Sequence, residues 1–119
     1  MTISRIYGPA KGRGIASVHG GLVYAVAYDP NLVPGITDQT RNALSFLDRT
    51  LEEAGSSKSS LLQVTVYLDD MSMKRDMDRV WCDWIGEKEN WPQRACIGAD
   101  FGGDGTLIEI VVIAAQQQI

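Results

Sequence analysis

The sequence has few of the residues that bind metals or form disulfides. Its 119 residues include two cysteines, Cys82 and Cys96, and one histidine, His19. A structural zinc site needs about four Cys or His ligands, and two cysteines are too few for a disulfide framework. We therefore expect no metal site. His19, flanked by Val18 and Gly20, is interpreted as the end of a strand before a turn.

Long apolar runs and clusters of basic residues are also absent. No stretch approaches the roughly 18–20 consecutive apolar residues that span a bilayer, and residues 1–14 lack the apolar core of a secretory signal. The 11 Lys and Arg residues are scattered, and the net charge is −4. Since nucleic-acid binding draws much of its affinity from neutralised phosphates, this charge disfavours a nucleic-acid partner. We expect a cytoplasmic protein that does not contact a membrane.

The sequence does contain enough apolar residues for one core. Hydrophobic residues make up 45% of the chain, and 119 residues fit a single domain spanning residues 1–119. A domain of this size leaves much apolar surface uncovered, so association with copies of itself is expected.

The first half of the chain predicts a strand followed by a helix. The apolar run 21–28 is bounded by glycines and by the turn 29–31, which is typical of a strand. Thr37 or Asp38 is the expected N-cap of the helix that follows, and Gly55 is its expected stop. One face of this helix is apolar at helical spacing: Leu44, Leu47, Leu51 and Ala54.

A second strand and helix follow the connector 56–60. The strand is predicted from apolar residues at alternate positions: Leu62, Val64, Val66 and Leu68. Asp69, Asp70 and Ser72 are expected to open the helix. Its apolar stripe is interpreted as core rather than as a cofactor site: Met73, Met77, Val80, Trp81 and Trp84.

The last third predicts two strands joined by a glycine-rich turn. Pro92 marks a boundary, and the strand 93–99 places Arg94, Cys96 and Gly98 on one face. The turn 100–105 precedes the strand 106–115, which is apolar on both faces and therefore suits the middle of a sheet.

The order strand, helix, strand, helix, strand, strand predicts an α+β fold, an α/β sandwich in which two helices cover one face of a sheet. The uncovered sheet face is also apolar, and another subunit is the natural cover.

Two charged residues lie within the otherwise apolar final strands, Arg94 and Glu109. A guanidinium can hold a carboxylate through two parallel hydrogen bonds, and a glutamate can hold a water or exchange a proton. The competing interpretation is that the two form a structural ion pair or cap a contact between subunits. Cys96 has no histidine beside it in the sequence, so its sulfur is a poor candidate nucleophile.

The combination of motifs resembles the reactive-intermediate deaminase family, also called Rid, YjgF or L-PSP endoribonuclease. The start of the chain, residues 1–6, and the segment 56–61 look closest to its YoaB-like branch. The segments that carry the family resemblance are QTRNAL (39–44), LEEAG (51–55), TVYLDDM (65–71), Val80-Trp81, PQRAC (92–96) and 109–115.

The resemblance implies a chorismate-mutase-like fold in which the last strand is inserted centrally and antiparallel, and a homotrimer with clefts between subunits. It also implies that Arg94 binds a substrate carboxylate, that Cys96 lines the pocket and that Glu109 positions the attacking water. The family often has Ser-Gly where this chain has Val26 and Ala27, and asparagine at the position of Asp78. A tyrosine of the deaminase branch has no match near Gly12-Arg13-Gly14.

Three functions are compatible with this pattern. The leading hypothesis is hydrolysis of 2-imino or enamine acids, such as 2-iminobutanoate and 2-iminopropanoate, to 2-oxo acids and ammonia, without a metal or organic cofactor. The alternative is a non-catalytic trimer that senses small 2-oxo acids, which Val26, Ala27 and Asp78 motivate. Ribonuclease activity or translation inhibition is disfavoured, because one histidine and a negative net charge offer little for RNA cleavage.

Overall fold

A computed structural model describes residues 2–117 as one sheet of six strands with two helices. The strands are β1 (Ser4–Tyr7), β2 (Gly14–His19), β3 (Leu22–Ala27), β4 (Leu61–Leu68), β5 (Gln93–Gly98) and β6 (Ile108–Ala115), and the helices are α1 (Ile36–Glu53) and α2 (Lys74–Ile85). Met1 and residues 118–119 of the predicted domain lie outside the described residues.

The last strand of the chain occupies a central position in the sheet. The strand order is β1-β2-β3-β6-β4-β5. β6 pairs antiparallel with both β3 and β4, whereas β4 and β5 are parallel. The mixed sheet with a central, antiparallel final strand confirms the fold that the sequence predicted.

Both helices pack on one face of the sheet and enclose the core there. Along β6 buried and half-buried residues alternate strictly, because successive side chains of a strand point to opposite faces. The predicted stripe of α1 is buried. In α2, Met77, Val80 and Trp81 are buried, and Met73 and Trp84 pack against the core at its margin. The helical periodicity thus identified the core correctly.

The chain begins with a hairpin that the sequence analysis missed. The prediction had one strand before α1, at 21–28, but β1 and β2 form a hairpin ahead of it and pair onto β3. β1 is short and mostly exposed, and β2 mixes small and polar residues with apolar ones. Neither strand therefore has the apolar alternation by which a half-buried strand is recognised.

The predicted start of α1 was wrong by a few residues. Gly35 is the N-cap, with φ of 88° and no side-chain cap. Thr37 and Asp38 lie inside the first turn, where Asp38 accepts a hydrogen bond from Arg41 on the surface. The end of the helix was predicted correctly, since Gly55 follows it with φ of 81°.

The strand β4 has a register irregularity that reverses one prediction. Its pairing with β6 shifts between Leu61 and Gln63. Leu61 is therefore buried, and Leu62, which was expected on the buried face, is 44% exposed. From Val64 onward the predicted alternation holds.

The second helix is preceded by a short turn. Asp70 accepts a hydrogen bond from the backbone N–H of Ser72 at 2.9 Å, and a 3₁₀ turn over Met71–Met73 leads into α2. None of the helices within residues 2–117 combines the length and the apolar character needed to cross a bilayer.

Candidate functional site

Arg94 lies near the start of β5, the edge strand on one side of the sheet, and points toward α2. Its Nη2 donates to Oδ1 of Asp78 at 2.6 Å, and its Nη1 donates to Sδ of Met77 at 3.6 Å. The guanidinium lies 5.3 Å from the centre of the Trp81 ring, within the range of a cation–π contact. The side chain is 17% exposed. Helix α2 therefore provides all three of these contacts.

Asp78 is shared between two cations. Its Oδ2 accepts a hydrogen bond from Nζ of Lys74 at 2.9 Å, while its Oδ1 receives Arg94. Partial burial alone raises the pKa of Asp78, but the hydrogen bonds and charges of Lys74 and Arg94 outweigh that effect and hold the pKa below its ordinary value. The three side chains together carry a net charge of +1. We call Lys74, Asp78 and Arg94 the charged triad.

The ion-pair hypothesis of the sequence analysis named the wrong partner. Arg94 pairs with Asp78 on α2 and not with Glu109. The sequence pattern could not identify this pair, because 16 positions separate the two residues and they lie on different elements.

Cys96 lies two residues beyond Arg94 on the same face of β5 and is partly buried. Burial raises the pKa of the Cys96 thiol, and this effect outweighs the nearby positive charges of Arg94 and Lys74. A raised thiol pKa leaves little thiolate at neutral pH. The sulfur is therefore not an activated nucleophile, and its place in the lining of the pocket stays a prediction.

Glu109 lies on the opposite face of the sheet from Arg94. Arg94 is in register with Val64 and, through it, with Val112, both of which are buried under the helices. Glu109 is half-buried and pairs with Tyr67 on the uncovered face. Arg94 and Glu109 are two strand spacings and three residues apart, roughly 14 Å by ordinary sheet dimensions. The side chains of Arg94 and Glu109 from a single chain therefore cannot both contact one small ligand.

Glu109 lines a cavity of about 360 Å³ at the edge of the sheet where β2 and β6 start and β3 ends. Val26, Arg13, Tyr28 and Thr106 are among the other lining residues. Val26 faces this cavity, whereas its neighbour Ala27 is fully buried and belongs to the core. Of the two positions singled out in the sequence, only Val26 can therefore touch a ligand there.

Arg13 and Tyr28 are lining residues that the sequence analysis did not identify. Arg13 lies in the β1–β2 hairpin loop, immediately before Gly14, where a Cβ atom would stand 2.9 Å from the carbonyl oxygen of Ile6. Only glycine fits that approach, so the loop conformation is fixed beside Arg13. The signal available in the sequence was a cation flanked by two glycines.

Two loops that line this cavity are held together by Gln39 of α1. The buried amide nitrogen of Gln39 donates to the carbonyl oxygens of Val33 at 3.0 Å and Gly105 at 2.8 Å. Its Oε1 accepts from the backbone N–H of Leu107 at 2.8 Å. This side chain therefore fixes the segment that leads into Glu109.

His19, the remaining candidate residue, lies at the end of a strand and away from both sites. His19 ends β2, as expected, and its Nδ1 is 3.4 Å from the carbonyl oxygen of Thr2. Within residues 2–117, no three His, Cys, Asp or Glu side chains are grouped closely enough to hold a metal ion.

Comparison with known proteins places these features in context. The profile of the family described as Endoribonuclease L-PSP matches residues 16–116. The RutC family protein YoaB of Escherichia coli (strain K12) is 31% identical over 115 residues, which cover 97% of this chain and 99% of that protein. A RutC family protein of Haemophilus influenzae is 31% identical over 116 residues, covering 96% and 98%.

The fold agrees with a solved structure over its full length. A crystal structure of a member of the YjgF protein family from Neisseria meningitidis has a TM-score of 0.91 and 28% identity, covering 100% of this chain and 98% of that one.

Proposed function

Because the chain belongs to the endoribonuclease L-PSP (YjgF/RutC) family, we propose that it hydrolyses small 2-imino or enamine acids to 2-oxo acids and ammonia. The observation that carries the proposal is the guanidinium of Arg94, which is partly exposed and incompletely used. Within residues 2–117, its side-chain hydrogen-bond partners are one carboxylate oxygen and one thioether sulfur. A guanidinium has five N–H donors, and sulfur is a weak acceptor. Donors therefore remain for a substrate carboxylate.

The charge of the site suits an anionic substrate. Asp78 neutralises only one of the two cations of the charged triad, so the cluster keeps a net positive charge despite the acidic chain. Trp81 lies against the guanidinium and leaves it less able to reorient. A planar, fixed guanidinium binds a carboxylate with better geometry than a flexible ammonium does.

The catalytic site requires more than one chain. Since Arg94 and Glu109 lie on opposite faces of one sheet, a shared ligand needs Arg94 from one subunit and Glu109 from a neighbour. The uncovered face supplies apolar surface for such contacts: Tyr24 and Ile97 are 44% and 47% exposed. We propose a homotrimer with the site in its intersubunit clefts.

The reaction needs only water and proton transfer. Water held by Glu109 adds to C2 of the imine, and the nitrogen takes a proton as the C=N π bond becomes its lone pair. The resulting carbinolamine then loses ammonia: the proton of its hydroxyl group passes, through Glu109 or water, to the departing nitrogen as the C–N bond breaks and the C=O bond of the 2-oxo acid forms. Orientation and a single proton-transfer group suffice for such a step, and no cofactor takes part in it.

A paired variant test addresses the role of Arg94. With 2-iminobutanoate generated in situ by a coupled enzyme, Arg94→Ala is expected to lower kcat/KM at least about tenfold, because a charge-assisted hydrogen bond to the carboxylate is lost. The matched control is Arg41→Ala, which removes an exposed arginine that pairs with Asp38 on α1 and should change kcat/KM less than about twofold.

Thermal melting of both variants checks that they fold. Equal release of ammonia by the wild-type protein and Arg94→Ala would overturn the proposed reaction.

A second candidate function is binding without turnover. The specific observation in its favour is that Asp78 already occupies one edge of the guanidinium, which weakens the hold on a substrate. Saturable binding of 2-oxobutanoate in calorimetry, combined with no acceleration of imine hydrolysis, would favour this candidate.

A further inference from the structure

Asp78 places a carboxylate of the protein beside Arg94, the residue proposed to bind the carboxylate of the substrate. Its Oδ1 lies 2.6 Å from Nη2 of Arg94, and its Oδ2 is held by Lys74 at 2.9 Å. The side chain is 32% exposed. It also lines a broad, open depression of about 740 Å³ along the outer face of α2, to which Lys74 contributes as well. Asp78 thus contacts Arg94 and also borders open space.

The chemistry of an ionised carboxylate restricts what can lie beside it. It only accepts hydrogen bonds, and each oxygen accepts more than one. The contacts to Lys74 and Arg94 therefore leave it further capacity for a donor. An imine or amine nitrogen bears N–H donors, whereas the oxygen of a 2-oxo acid only accepts. In both classes of compound, the atom on C2 lies next to the carboxylate that Arg94 binds.

We propose that Asp78 is a specificity-determining residue, which accepts a hydrogen bond from the nitrogen on C2 of a carboxylate ligand and disfavours the corresponding 2-oxo acid. This inference rests on the proposed function, since it requires the ligand carboxylate to bind at Arg94. It also predicts an order of affinities: the site binds nitrogen-bearing substrates more tightly than their 2-oxo acid products. The product therefore dissociates readily. Lys74 acts as a positioning residue that keeps Asp78 in place.

The neighbouring residues provide a matched control. Asp76 lies two positions before Asp78 on the same helix and pairs with Arg79 at the exposed surface. Asp76→Asn and Asp78→Asn remove the same charge through the same nearly isosteric change. Only Asp78→Asn also replaces the acceptor beside Arg94, with an amide that can both donate and accept. A general charge effect is therefore separated from a local hydrogen bond.

The test compares two ligands of equal carbon skeleton, 2-aminobutanoate and 2-oxobutanoate, by calorimetric titration of the wild-type protein and both variants. The wild-type protein and Asp76→Asn are expected to bind 2-aminobutanoate about tenfold more tightly than 2-oxobutanoate. In Asp78→Asn the two dissociation constants should come within about twofold of each other, mainly through tighter binding of 2-oxobutanoate.

Each other outcome counts against the inference. Equal affinities of the wild-type protein for 2-aminobutanoate and 2-oxobutanoate would overturn it, whether or not the variant folds. A preference for 2-aminobutanoate that survives in Asp78→Asn would also overturn it, as would an equal loss of that preference in Asp76→Asn. These results leave the proposed reaction intact, because that reaction depends on Arg94. Failure of every protein to bind either ligand would overturn both the inference and carboxylate binding at Arg94.

Discussion

At the scale of single residues, the balance of charge around Arg94 decides how the site behaves. The guanidinium lies against Trp81 and Met77, and among residues 2–117 the carboxylate paired with it is that of Asp78. Removing one member of a partly buried pair leaves the other charge without compensation. The consequences of substitution therefore depend on which partner is changed and on the pH.

Asp78 is expected to stabilise the fold only while it is ionised. Its pKa is lowered in the folded protein, so this contribution is present above the ordinary aspartate pKa of about 3.9 and is lost as the pH falls through the folded pKa. At pH 7, Asp78→Asn should lower the free energy of unfolding by on the order of 1 kcal/mol or less, since the pair is partly exposed and screened.

Urea unfolding at pH 7, 5 and 3 measures the difference in free energy of unfolding between the wild-type protein and Asp78→Asn. The difference between the wild-type protein and Asp78→Asn should narrow at the lowest pH, with Asp76→Asn as the reference for an exposed pair. A difference that is as large at pH 3 as at pH 7 would contradict the assigned role.

At the scale of elements, the amide of Gln39 joins the start of α1 to the loop before it and to the segment that leads into β6. Three hydrogen bonds run from this one buried side chain to the backbone. Buried backbone groups that lose their partners are costly. The segment before β6 is therefore stabilised by a side chain from another layer of the fold, rather than by its own turn residues alone.

Gln39→Leu is expected to lower the free energy of unfolding by about 1–3 kcal/mol, since it leaves buried backbone groups without partners. Thr40→Val is the control on the same helix. Among the described residues, the buried Oγ1 of Thr40 has no hydrogen-bond partner, so its loss should leave stability unchanged or raise it. Denaturant unfolding of both variants measures the contrast, and equal destabilisation by the two would refute the account.

Helices and strands could be predicted where the sequence pattern that identifies them lies within a few neighbouring residues. The stripes of α1 and α2 repeat within a few residues, and the apolar run of β6 indicates a central strand by itself. The β1–β2 hairpin escaped prediction because neither strand alternates clearly: β1 is a short edge strand with one apolar contact residue, Ile6, and β2 mixes small and polar residues with apolar ones. Arg94 and Glu109 were found as charges in apolar strands. The Arg94–Asp78 pair was not, because it depends on how α2 packs over β5.

At the scale of the whole molecule, the proposed assembly depends on the uncovered face of the sheet. Its centre includes Ile113, which pairs with Tyr24 of β3 and is only half-buried in the single chain. A face of this kind is the expected contact surface of an oligomer. The proposed site depends on this contact, since it takes Arg94 and Glu109 from different chains.

Ile113→Glu is expected to convert the proposed trimer of about 39 kDa, three copies of a 13.0-kDa chain, into monomers, because it places a charge in an apolar contact. Light scattering after gel filtration gives the mass. Ser45→Glu adds the same charge to an exposed position of α1 and should leave the mass unchanged. A wild-type protein of 13 kDa at micromolar concentration would rule out the trimer.

The central place of β6 also has a consequence for how the protein is made. In the part of the chain that the structure describes, β3 and β4 do not pair with each other, and the strand formed by residues 108–115 joins them. During synthesis, the two half-sheets can therefore be bridged only after residues 108–115 have left the ribosome. Until then, each half presents an open edge that can pair with another nascent chain. A premature stop codon before position 108 would leave that hazard permanent.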